Sequence, residues 1–111
     1  MIYTISLENS SSIELQITDQ AKRNFDRLKN QIYKLLPNRE EGLDWARSLD
    51  SIIEEFCGMY KILQSQQDII FSIICKLEGL YTLTEYEHYG LFRKTIFECL
   101  SLVTQLINNV G

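Results

Sequence analysis

Ten positions constrain this chain more than any others. Leu49, Ile52, Phe56, Met59, Leu63, Gln66, Ile70, Ile73, Leu77 and Leu80 recur at alternating spacings of three and four, a heptad stripe with one polar member. The stripe passes through KILQSQQDIIFSIICKLEG, residues 61–79, where glutamines, a serine and Asp68 precede a run of apolar residues. Two readings compete there. Conserved phase, the absence of Gly and Pro, and the good helix propensity of glutamine favour one helix over residues 40–82 with Gln66 as a buried polar layer. Alternatively, Ser65-Gln66-Gln67-Asp68 resembles a capping box, which would start a new helix and break the rod near 65. The continuous helix is the favoured expectation.

Two shorter helical stripes flank the long one. Ala21, Phe25, Leu28, Ile32 and Leu35 mark a helix over 19–36, with Thr18 or Asp19 as N-cap and an end at Leu36-Pro37-Asn38, since the residue before proline is pushed out of the α region. Glu40 and Glu41 would then suit the positive end of the next helix. Thr84-Glu85-Tyr86-Glu87 reads as a capping box opening a last helix over 85–109, with Tyr89, Phe92, Ile96, Cys99, Val103, Leu106 and Val110 on its inner face. Before all of these, Tyr3, Ile5 and Leu7, then Ile13, Leu15 and Ile17, alternate around Glu8–Ser12. That pattern predicts a short β-hairpin over 2–17. The expected fold class is mainly α, either a long helical hairpin or a four-helix bundle, with an N-terminal β-hairpin.

Length decides how such a chain would be buried. At about 1.5 Å per residue the helices measure roughly 27, 60 and 38 Å, so the two shorter ones cover opposite ends of the long one in a layer only two helices thick. Phe71, Ile74 and Cys75 lie off the main seam, beside Ile70 on it, and a helix apolar most of the way round needs cover on several sides. A homodimer through Ile70, Phe71, Ile74 and Cys75 is therefore expected. If the rod breaks near 65, the last two helices could bury that run without a partner.

Composition narrows the class further. The 111 residues are 45% hydrophobic with a single proline, Pro37, which predicts one domain over 1–111 able to build a core. No apolar run approaches the ~18 residues of a membrane span, and the first residues lack the charged and apolar regions of a signal peptide. A soluble, cytoplasmic protein is expected. Cys57, Cys75 and Cys99 are odd in number and widely spaced, so they read as reduced thiols. His88, the one histidine, belongs to no cluster at ligand spacing, so neither metal nor cofactor is expected.

Charge is uneven. Residues 18–39 hold six basic and two acidic side chains, while the rest of the chain carries −8 of a net −4. With an isoelectric point near 4.9, nucleic acid is a poor partner. An acidic surface facing a basic protein fits better. Phosphate loops, nucleophile elbows and zincin motifs are missing, and adjacent pairs such as Glu54-Glu55 diverge on a helix. The residues with binding potential are aromatic: Tyr81, Tyr86 and Tyr89 around the turn into the last helix, and Trp45 near the far end of the long one. The expected function is a non-enzymatic protein-binding adaptor, chaperone or assembly factor acting as a helical homodimer. An acidic immunity protein or antitoxin-like inhibitor of a basic toxin is the alternative, and a small enzyme using His88 is a second one.

Overall fold

The computed structural model describes the backbone of residues 7–110 and the side chains of residues 19–109. Among the described residues four α-helices follow one another: α1 Leu7–Glu40, α2 Trp45–Ile62, α3 Gln67–Gly79 and α4 Tyr89–Val110. Each packs on its neighbours in the chain, and α4 closes the ring against α1, so they form an up-down-up-down bundle. The molecule measures 57 × 22 × 18 Å. The β-hairpin expected over 2–17 falls on a stretch whose side chains are not described, and residues 2–6 lie outside the described residues altogether.

The continuous 40–82 helix is corrected. α2 ends at Ile62, a 3₁₀ turn occupies Gln64–Gln66, and α3 returns antiparallel to α2. Leu63 makes the bend at φ −97°, ψ 74°, a conformation open to any L-residue. The Gln67 side-chain amide donates to the Tyr60 carbonyl at 3.0 Å, satisfying a group that the helix end would orphan. No side-chain cap forms at Gln66, so the Ser65–Asp68 capping box is not realised either. Gln66 is half-buried on the turn, hydrogen-bonded to Asn109 at 3.2 Å, and is not a core layer.

The break halves the stripe without spoiling it. Leu49, Ile52 and Phe56 on α2, and Ile70, Ile73, Leu77 and Leu80 on the return, all reach the core, while Met59, Leu63 and Gln66 at the bend are only half-buried. Phe25, Leu28, Ile32 and Leu35 from α1, and Phe92, Ile96, Cys99, Val103 and Leu106 from α4, complete it. With four helices in cross-section, the apolar run finds cover inside one chain. Ile70 and Ile74 are buried there, which removes the thinness argument for a dimer and withdraws both residues from any outer surface.

The ends of two other helices also differ from expectation. α1 runs through Pro37 to Glu40, because a proline in the last turn of a long helix forfeits one hydrogen bond and leaves the rest intact. It closes in a Schellman motif: Leu43 N–H donates to Asn38 O at 2.8 Å, Gly42 N–H to Arg39 O at 3.2 Å, and Gly42 takes φ +74°. Glu40 and Glu41 thus sit at the negative end of α1 and not at the start of α2, whose N-cap is Asp44 accepting from Arg47 N–H. Thr84–Glu87 is extended and then 3₁₀, with no side-chain cap, and α4 begins at Tyr89. Among the described residues no helix is long and apolar enough to cross a membrane.

Candidate functional site

Folding α2 and α3 back on each other moves Trp45 to the same end of the bundle as Tyr81, Tyr86 and Tyr89. The α1–α2 and α3–α4 connections both lie there. This juxtaposition could not be read from a continuous rod, which placed Trp45 far from the tyrosines. Three of the four aromatics are held inside the chain. The Trp45 ring meets Phe92 edge-on at 5.1 Å, the Tyr81 hydroxyl donates to the Asp50 carboxylate, and the Tyr89 hydroxyl donates to Glu40. Burial, and then the bond to Asp50, push the Tyr81 phenol up to about 12. The bond to Glu40 is the main cause holding the Tyr89 phenol above its ordinary value. Tyr86 differs from all three: it is 94% exposed.

Arg39, a residue the sequence did not single out, organises this end. One guanidinium nitrogen donates to Leu83 O at 3.1 Å and to Glu85 O at 2.7 Å, carbonyls of the α3–α4 connection. Its guanidinium carbon lies over the Phe92 ring at 4.8 Å and over that of Tyr89 at 5.4 Å. A cation from the last turn of α1 therefore staples a loop more than forty residues away. The hint in the sequence was a lone arginine beside a helix end, and nothing there pointed to carbonyl partners.

The charge of this end is one-sided. Residues 40–46 and 80–92 hold Glu40, Glu41, Asp44, Glu85 and Glu87 with no Lys or Arg, a balance of −5, so the rest of the chain is +1. The first cations behind the tip are Arg39, already committed, then Arg47 and Arg93. Between the basic α1 and the acidic start of α2 there is, among the described residues, one ion pair, Arg27–Glu55 at 2.9 Å. Lys76–Glu98 at 3.3 Å links α3 and α4.

His88 is half-buried, and its Nδ1 is enclosed without a hydrogen-bond partner. Among the described residues, no three His, Cys, Asp or Glu side chains converge as a metal site would require. Of the residues expected at a dimer interface, Phe71 is 57% exposed and Cys75 is exposed, while Ile70 and Ile74 belong to the core. No family model, curated protein or solved structure matches this chain.

Proposed function

We propose that this chain is a non-enzymatic protein-binding bundle that docks a basic partner onto its connection end. The observation that carries the reading is Tyr86, 94% exposed on a turn flanked by Glu85 and Glu87, at a tip where five carboxylates face one cation, Arg39. An aromatic ring that offers area at low entropic cost, ringed by like charges, suits a partner with an apolar notch among lysines or arginines. The bundle behind it, stapled by Arg39, holds that tip without needing to reorganise on binding.

The same acidic tip favours a second reading, an inhibitor that masks the basic surface of a toxin. The two readings separate by client: an inhibitor takes one basic protein stoichiometrically, whereas an adaptor or chaperone takes several components or a secreted client. The test is co-purification from the native host with the intact chain and with Tyr86→Ser/Glu85→Gln/Glu87→Gln. The expected result is a basic protein retained by the first, lost with the second, and released as salt screens the contact. A partner held equally by both forms would overturn the assignment of the tip.

A further inference from the structure

A different surface carries an inference that does not depend on the acidic tip. Tyr60 and Phe71 face each other across the outer seam of α2 and α3, with ring centroids 6.4 Å apart, and Asp50 meets Tyr81 on the same seam. These two pairs fix the antiparallel register. Cys57 stands one turn from Tyr60 and Cys75 one turn from Phe71, on the same outer side, and both thiols are exposed. The centre of this face is therefore apolar: Cys57, Phe71 and Cys75 in solvent, Tyr60 and Ile53 half-buried. Phe71, 57% exposed, is the largest apolar side chain at the centre of this face.

We infer that a second copy of this chain covers it, packing α2–α3 face to α2–α3 face, antiparallel, about a twofold axis near Cys57 and Cys75. Charge favours a second copy as the occupant, because the face carries both signs. Lys61 lies on the side of the apolar centre nearer the α2–α3 turn, and Glu54 and Glu78 lie on the other side; all three are exposed. Beyond them, Asp68 lies at the extreme nearer the turn, and Arg47 lies at the other extreme beside Asp50, whose carboxylate is held by the Tyr81 hydroxyl. Turned end for end, a second copy sets Lys61 against Glu54 and Glu78 and sets Arg47 against Asp68. Both signs occur on the face, so a second copy can set Lys61 against acidic side chains that a one-signed partner could not match throughout.

Area sets the strength. A face about 27 Å long and about 20 Å across two helices offers roughly 540 Å² per copy, so about 1,100 Å² is buried in total. That is the lower limit for a specific interface, so the dimer forms in the micromolar range or above.

The test is sedimentation equilibrium of the intact chain from micromolar to millimolar concentration, with Phe71→Asp beside it. The expected result is a reversible doubling of mass that Phe71→Asp weakens by at least ~10-fold, its helical content unchanged because it removes an exposed side chain. A bismaleimide should join two wild-type chains through Cys57 or Cys75. Cys99 does not compete, since it is fully buried and burial pushes its thiol up to about 12. Lys61→Glu should weaken the dimer, and adding Glu54→Lys with Glu78→Lys should restore it. A mass that stays monomeric at millimolar concentration, or a dimer indifferent to Phe71→Asp, overturns the proposal. Failure of the charge exchange to restore the dimer overturns the antiparallel arrangement.

Discussion

Arg39 shows how much one side chain can hold in a small bundle. Its two hydrogen bonds reach main-chain carbonyls of the α3–α4 connection, one of which, Glu85 O, also accepts the His88 N–H, and its guanidinium carbon lies over the rings of Phe92 and Tyr89. A lysine keeps the charge but replaces the planar guanidinium over the two rings with a compact, more strongly hydrated ammonium on a different stem, so it does not reproduce both carbonyl bonds and the ring contacts together. Arg39→Lys is therefore expected to cost about 1–3 kcal/mol, with Arg39→Met no better, read as a lower urea midpoint at unchanged slope. Tyr81 adds a pH dependence at the same end. Its phenol is raised from 10.0 to about 12 in the folded chain, so its contribution is complete below pH 10. The unfolded chain ionises first as pH climbs, and that contribution is lost between about pH 10 and 12. Alkaline denaturation of wild type and Tyr81→Phe should differ in that window: the wild type falls more steeply, and equal slopes would remove the Asp50 bond from the account.

At the scale of elements, the faces were legible and the ends were not. Every buried position on α2 and α3 belongs to the heptad stripe except Ile74, because burying a helix demands apolar spacing whatever the connection does. The bend at Leu63 left no mark in glycine or proline. It uses a backbone conformation any residue adopts, and its capping donor is the side chain of Gln67, a good helix former. Pro37 misled in the other direction, as a stop signal that a final helical turn absorbs. The true stop is Gly42, five residues on, whose φ of +74° only glycine adopts freely. A Cβ there meets nothing within 4 Å, so Gly42→Ala isolates backbone strain and should destabilise by about 1 kcal/mol. Gly58 gives the opposite sign. It lies inside α2 with open space around its would-be Cβ, so neither close helix approach nor a clash explains it, and Gly58→Ala should stabilise by about 0.5–1 kcal/mol. Thermal melts of the two variants should move in opposite directions.

At the scale of the whole molecule, the sequence named the tyrosines and Trp45 but could not bring them together. Their meeting depends on a chain reversal 17 residues beyond Trp45, at Ile62, and on Arg39 reaching the far connection. The same reversal gathers five carboxylates at one tip of a 57 Å molecule whose remainder is nearly neutral. Like charges held together cost folding energy, and Glu41 bears a second penalty at the negative end of α1. Neutralising charges that take no part in capping or hydrogen bonds should therefore stabilise the fold: Glu41→Gln/Glu87→Gln is expected to gain a few tenths of a kcal/mol at low ionic strength. The gain should vanish near 1 M salt, where the screening length is about 3 Å. Glu98→Gln, which breaks the pair with Lys76, is the control and should gain nothing. A stabilised double variant that no longer holds a basic partner would join the folding cost and the proposed docking in one pair of residues. If neutralisation instead lowers stability, those carboxylates have partners within the chain, and the tip is a structural cap.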